Sequence, residues 1–343
     1  MISSRPSLSQ MGPPNTAEPT LSVVIPTLNE QDNIDALLER LVPVLDGMKM
    51  PFEVIFVDDG STDGTARRIA DRNRTDDRIK LVRFSRNFGK EAALNAGLFY
   101  SRGKAVIQLD ADLQHPPEVL DDFVALWRNG NDIVYGKRAS RAHEGLIRRV
   151  LAKSFYKVFG IISHVKLMEG LGDFVLLDRK VVNALLSLPE RERFTKGLYA
   201  WVGFQRASVT FEIGKRLAGR SGFNLRRLMH FAMDAITGFG SVPLKVWSFV
   251  GLAMAISAMA LGGYFILEKI LWGSNVPGYP SLMAAICFFA GVQLIGLGIV
   301  GEYLSRVLME VKQRPLYLVQ EHVGFEEPAT KDDGPATIRR VAV

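Results

Sequence analysis

The segment VIQLDADLQHPPE, residues 106–118, runs an apolar stretch into two carboxylates, Asp110 and Asp112, spaced i, i+2. An apolar strand that ends in paired acids at a turn offers oxygen ligands at the edge of a sheet. Hard divalent cations such as Mg2+ and Mn2+ take such oxygens, and they need few protein contacts when they also hold a substrate's phosphates. Asp112 and Gln114 supply ligands of this kind, while Asp110 holds either the metal or a ribose. At such a turn the usual strand alternation need not hold. Alone, an Asp-x-Asp pair is a weak signal and is usually a solvated loop, so its surroundings decide.

Upstream of it, strands and helices alternate. Residues 21–25 read as a short apolar strand, and residues 31–45 carry Ile34, Leu37, Leu38, Leu41 and Leu45 at the helical period. A second strand over 52–57 ends in Asp58-Asp59-Gly60-Ser61, where Ser61 or Asp63 caps a helix running to about Asn73. A third strand is expected over 79–84, a helix of small residues over 91–100 and a fourth strand over 105–109. Pro116 and Pro117 open a helix through Trp127, and a fifth strand covers 133–135.

This alternation predicts an α/β domain with a largely parallel sheet covered on both faces. Ligands of such sheets bind beyond the carboxyl ends of the strands, where Asn29-Glu30, Asp58-Asp59 and Asp110/Asp112 all fall. Carboxylates at the end of a buried strand are costly unless they bind something. Asp58 and Asp59 can accept hydrogen bonds from a uracil and a ribose; capping the next helix is their plainer role.

Downstream the composition changes. Residues 246–267 and 270–301 hold no Asp, Glu, Lys, Arg or His. At about 1.5 Å per residue the first run reaches roughly 33 Å, the hydrocarbon thickness of a bilayer. Two transmembrane helices are therefore expected, with a pair of buried core helices as the alternative. Arg226, Arg227 and Lys245 precede the first run, and Arg306, Lys312 and Arg314 follow the second. The positive-inside rule then predicts a hairpin with both termini, and with them the α/β domain, on the cytoplasmic side. Residues 224–240 place apolar side chains on one helical stripe, either an interfacial amphipathic helix or a helix docked on the soluble domain.

Several classes drop out. No G-x-G-x-x-G follows the first strand, which removes the main support for a dinucleotide oxidoreductase, and no G-x-x-x-x-G-K-[ST] marks a P-loop enzyme. The net charge is +6, yet the basic residues gather beside the apolar runs without aromatic interleaving, so nucleic acid is not an expected partner. The single cysteine, Cys287, sits inside the second apolar run and allows no intramolecular disulfide.

VVIPTLNE, VDDGSTDGT, SRNFGKEAALNAGL, LDADLQHPPE, GDFVLLDR, RFTKGLYAWVGF and GEYLSRVLMEVKQRPLY together resemble glycosyltransferase family 2 with the GT-A fold. Within that family, residues 21–317 are similar to the bacterial polyprenyl-phosphate glycosyltransferases and the related dolichol-phosphate mannose synthases, whose double membrane span sits at the same place. The resemblance implies inverting transfer of a hexose, glucose above all, from a UDP-sugar to undecaprenyl phosphate, with Mg2+ or Mn2+, at the bacterial inner membrane. It implies a nucleotide-sugar pocket of Pro26, Asn29, Glu30, Asp58, Ser61, Lys90 and Asp110, and a metal held by Asp110, Asp112 and Gln114. Asp173 and Asp112 would be catalytic, Asp173 at the position assigned to the base. Arg206, Lys215, Arg216 and Arg220 would meet the lipid phosphate.

The expected organisation is a disordered leader over 1–20, a GT-A catalytic domain over 21–222 and a juxtamembrane helix region over 223–245. A transmembrane hairpin over 246–301, a cytoplasmic segment over 302–321 and a flexible tail over 322–343 complete it. Packing of two-span hairpins, beside membrane lipids, makes a homo-oligomer the expected assembly. Three positions depart from the family pattern: His115 stands where Asp is usual, Val175 where Arg follows GDF, and Gly222 where G-x-S-K-[WY] has its lysine. A processive polysaccharide synthase is disfavoured by the missing Q-x-x-R-W motif. The departures leave one other class open, a non-catalytic membrane scaffold or lipid-translocation partner with a degenerate fold.

Overall fold

The structure, a computed structural model, describes residues 19–138, 172–188, 190, 195–212, 242–272 and 278–325. Its α/β unit is built on one eight-stranded sheet of order β7-β5-β6-β4-β1-β2-β3-β8. The strands are β1 (Leu21–Thr27), β2 (Phe52–Asp58), β3 (Ile79–Phe84), β4 (Ala105–Gln108), β5 (Ile133–Arg138), β6 (Val175–Asp178), β7 (Arg206–Phe211) and β8 (Val319–Val323). β1 and β2 are buried along nearly their whole length, as strands covered on both faces must be, and this explains their unbroken apolar runs.

Helices α1 (Ile34–Gly47), α2 (Thr65–Asn73), α3 (Lys90–Tyr100) and α4 (Leu120–Arg128) fill the crossovers. α5 (Arg179–Ser187) and α6 (Thr195–Trp201) follow β6. The stripe read from the sequence of α1 is the buried one: Ile34, Leu37, Leu38, Leu41 and Leu45 all face the core. α3 packs so closely on β1 that a Cβ on Gly97 would run into the Val24 side chain, the reason this helix is rich in small residues.

Boundaries moved where side chains or proline intervened. Residues 31–33 are a turn closed by the Asn33 N–H on the Glu30 carbonyl at 2.9 Å, so α1 starts at Ile34. Pro117–Val119 forms a 3-10 turn before α4. The α2 N-terminus is served by Asp63, whose Oδ1 accepts the Thr65 N–H at 3.0 Å; Ser61 instead accepts from Asn29.

Two features differ from the expected sheet. β1 through β4 pair in parallel, but β6 lies antiparallel between β4 and β5, and β8 lies antiparallel on β3. β8 also crosses the boundary expected at 321/322: residues placed in a juxtamembrane segment and a flexible tail form an edge strand together. Tyr317 holds it there by stacking on Phe84, centroids 4.8 Å apart.

The second compact unit is described separately. Its α7 (Val242–Trp272) and α8 (Tyr279–Val311) are long enough to cross a bilayer, with apolar windows at Val246–Tyr264 and Phe288–Val311. The buried-core alternative fails on exposure: Phe249 is 73% and Leu294 68% exposed. Trp247 of α7 packs against Gly296 of α8, where no Cβ would fit. The amphipathic stripe at 224–240 lies outside the described residues.

Candidate active site

Register places the chemistry on one edge of the sheet. Thr27 is level with Asp58, and Val24 with Gln108, so the loops after β1, β2 and β4 leave from the same edge. β6 runs the other way, with Val175 level with Gln108, and this brings the preceding Asp173 to that edge too.

The β1 and β2 loops are laced together. The Asn29 N–H donates to Ser61 Oγ at 2.9 Å, and Asn29 Oδ1 accepts from the Thr62 N–H at 2.9 Å. Asn29 holds a left-handed φ of 56° to do so, a conformation that asparagine tolerates better than most residues. Glu30 donates its N–H to Thr65 Oγ1 at 2.9 Å. Gly60, at φ 74°, passes so near the chain that a Cβ would lie 2.5 Å from the Arg86 carbonyl carbon.

Asp58 and Asp59 serve this frame. Asp58 has no exposed surface; its Oδ1 accepts the Ser61 N–H at 3.1 Å, and its Oδ2 lies 3.4 Å from Arg83 Nε without a hydrogen bond. Asp59 accepts the Phe88 and Gly89 N–H groups at 2.6 and 3.0 Å, holding the loop that leads into α3. Burial pushes both carboxyl groups above the usual range.

That loop delivers Lys90 as the first residue of α3. Lys90 Nζ stands 2.6 Å from Asp110 Oδ1 and 2.5 Å from Asp173 Oδ2. Lys196, on α6, reaches Asp173 Oδ1 from the other side at 3.4 Å. Burial alone would lower the Lys90 ammonium, but the two carboxylates outweigh it and hold it above its ordinary range. Burial likewise opposes ionisation of Asp173, and the two ammonium groups prevail, keeping it well below the usual carboxylate range. Next to Lys90, Glu91 is pushed up to about 7 by burial, with Asp173 adding to the effect. Thr195 Oγ1 donates to the Glu91 carboxylate, fastening the start of α6 to the start of α3.

Through the Asp-x-Asp turn, burial alternates after all. Asp110, Asp112 and Gln114 are partly exposed, whereas Ala111, Leu113 and His115 are buried. Leu113, at φ 59°, and the Gln114 N–H on Asp112 Oδ1 at 3.2 Å set this shape. Two partly exposed carboxylates and an amide in one short turn are oxygen donors of the kind a hard cation takes when it draws its other ligands from a diphosphate and water. Among the described residues no cluster of three or more His, Cys, Asp or Glu offers an all-protein cage.

Residues 22–186 match Glycosyl transferase family 2, and residues 242–307 match the GtrB C-terminal hairpin. An uncharacterized glycosyltransferase of Synechocystis is 49% identical over 89% of this chain and 96% of its own length. The SfII prophage-derived bactoprenol glucosyl transferase of Shigella flexneri is 40% identical over 88% of this chain and 97% of its own. The chain belongs to glycosyl transferase family 2. A glucosyl-3-phosphoglycerate synthase structure from Mycobacterium tuberculosis, with Mn2+ and UDP, matches at 21% identity and TM-score 0.43, over 64% of this chain and 78% of that one.

The departures of this glycosyltransferase from its family pattern have definite places. His115 is buried, stacked on Phe174 at 5.0 Å and edge-on to Phe211 at 5.6 Å. Val175 starts β6 inside the core with no exposed surface. Gly222 lies outside the described residues, as do Lys215, Arg216 and Arg220.

Arg206 is not brought to the site. It starts β7 opposite Ile133, level with Val106 near the amino end of β4, whereas Asp110 follows the carboxyl end. Its guanidinium donates to the Phe204 and Ala200 carbonyls at 3.2 Å each, bracing the end of α6. Pro26 sits on β1 level with Val57, half-buried beneath the joined loops. Sequence reasoning passed over Lys196, Glu91 and Arg83. The first two belong to motifs, FTKG and FGKE, whose family resemblance was their only signal.

Proposed function

We propose that this protein transfers glucose from UDP-glucose to undecaprenyl phosphate, inverting the anomeric carbon and releasing UDP for use of the lipid-linked sugar in cell-surface glycan modification. The observation that carries this reading is the 40% identity to the bactoprenol glucosyl transferase, spread over catalytic domain and hairpin alike. Asn29, Glu30 and Ser61 form the nucleotide rim, with Pro26 and Asp58 behind them. Asp110, Asp112 and Gln114 would hold the divalent cation, Mg2+ or Mn2+. When bound, such a cation neutralises the charge that builds on the departing diphosphate.

The remaining steps belong to the protein's own groups. An acceptor phosphate oxygen forms the new bond to the anomeric carbon as the bond to the UDP oxygen breaks. A phosphate monoester has its second pKa near ~6 and is largely dianionic at neutral pH, so no proton has to be removed. This agrees with the state of Asp173, which two lysines hold ionised and make a weak base. Asp173 thus orients Lys90 and shapes the field at the reacting carbon.

α7 and α8 anchor the enzyme in the bacterial plasma membrane, with both termini and the catalytic unit cytoplasmic. Tethering raises the effective concentration of an acceptor confined to the same surface. Homo-oligomers form through these hairpins. The test is a panel of UDP- and GDP-sugars with undecaprenyl phosphate, followed by anomeric assignment of the product. A β-linked lipid product from UDP-α-glucose is expected; a retained α linkage would exclude direct displacement.

A further inference from the structure

Asp173 carries an ammonium group on each oxygen, and the two are not equivalent. Lys90 makes two short contacts, at 2.5 Å to Asp173 and 2.6 Å to Asp110. Among the described residues Lys196 makes one long ion pair, 3.4 Å to Asp173 Oδ1, beyond the usual range of an N–H···O hydrogen bond, with the Glu91 carboxylate also in its field. Its side chain is 34% exposed, and the Thr195–Glu91 hydrogen bond fixes the backbone that presents it. Lys90, placed between two carboxylates, is committed to the donor side with Asp110. Lys196 can leave Asp173 without breaking a short contact.

A dianionic acceptor that approaches the edge carrying Asp110, Asp112 and Asp173 meets three carboxylates. It needs a cation on its own side of Asp173. We propose that Lys196 Nζ is that cation: it turns from Asp173 Oδ1 to the acceptor's phosphate monoester and so selects a phosphorylated over an unphosphorylated polyprenol. This rests on the acceptor being a phosphate, as proposed above, and it moves part of the phosphate site from Arg206 to α6.

The test uses the full chain in lipid nanodiscs, as wild type, Lys196→Gln and Lys196→Arg. The KM for undecaprenyl phosphate should rise about 10- to 100-fold in Lys196→Gln, the scale of one lost charged hydrogen bond, with the KM for UDP-glucose within about twofold. Lys196→Arg should recover most of the loss. Binding without donor provides a separate readout: wild type should prefer undecaprenyl phosphate to undecaprenol, and Lys196→Gln should lose that preference. Inorganic phosphate should compete with the lipid less well in Lys196→Gln than in wild type. An unchanged lipid preference in a folded Lys196→Gln protein, or a donor KM that rises as much as the acceptor's, would overturn the assignment. Absence of transfer by wild type would instead count against the proposed reaction, while the binding comparison would still decide the role of Lys196.

Discussion

Lys90 Nζ lies 2.5 Å from Asp173 Oδ2, joining the first residue of α3 to a carboxylate 83 positions later in the chain. Asp110 completes the set, so one ammonium bridges two acids beside which a nucleotide-sugar would be placed, with Lys196 supplying the second positive charge. Removing it leaves both carboxylates facing the donor's diphosphate. Lys90→Ala should lower kcat/KM for UDP-glucose by about 100-fold, the scale of losing one preorganised charge, and Lys90→Arg should recover part of it. Steady-state kinetics check this; a loss under about threefold would show that the ammonium is not needed.

Asp112 and Asp173 should behave differently when replaced. Asp112→Ala removes a carboxylate proposed to hold the metal and should nearly abolish turnover. Asp173→Asn should retain measurable turnover, because a carboxylate held ionised by two lysines is not the proton acceptor. In wild type the acid limb of the rate profile should follow the acceptor phosphate near pH ~6, since Asp173 stays charged well below that. An acid limb that shifts when Asp173 is replaced would contradict this division of roles.

Glu91 predicts a pH-dependent stability. Its carboxyl is raised from 4.5 to about 7 in the folded chain, so the native state binds more protons than the unfolded one between those values. Its contribution to stability is full below pH ~4.5 and lost as pH rises through about 7. Glu91→Gln keeps an acceptor for the Thr195 hydroxyl and removes the titration. The melting temperature of the variant should gain on wild type progressively from pH 5 to pH 8. Parallel melting curves across that range would contradict the raised value.

His115→Asp should be harmful even though it restores the residue usual in the family. The side chain is 5% exposed and stacked on Phe174, so a carboxylate there would be desolvated among aromatic rings. A cost of about 3 kcal/mol is expected, read as a lower denaturation midpoint. A gain in both stability and metal affinity would show that the position turns toward the Asp-x-Asp site when it carries an acid.

Much of this molecule is legible from sequence where periodicity and strand ends coincide. Strands β1 to β5 and the apolar stripe of α1 were readable because burial on both faces, or on one helical face, imposes a pattern on the residues themselves. β6 has the buried apolar run but is only four residues long, and β8, whose sequence VQEHV has three polar residues of five, carries no such pattern. β8 exists because Tyr317 docks on Phe84 and lays the strand along β3, a tertiary cause that its own residues do not announce.

The site divides in the same way. Asp110, Asp112 and Gln114 were evident as oxygens after an apolar strand. Their partial exposure between buried neighbours was not, since it depends on a turn in which Leu113 is left-handed. The Lys90–Asp173–Lys196 set was hidden because its members come from three elements, joined only when β6 reverses direction beside β4. Arg206 was misplaced for the same reason: a basic residue in sequence carries no mark of which end of the sheet it will occupy.

The most direct test of the proposed reaction is label partition. Purified wild type and Asp112→Ala would be incubated with UDP-[14C]glucose and undecaprenyl phosphate, with Mg2+ or Mn2+ and with EDTA, and the organic phase counted. The account predicts lipid-phase label from wild type alone, lost on adding EDTA and restored by excess metal. Folded wild-type protein that leaves all label in the aqueous phase, or labels lipid equally with Asp112→Ala, would contradict it.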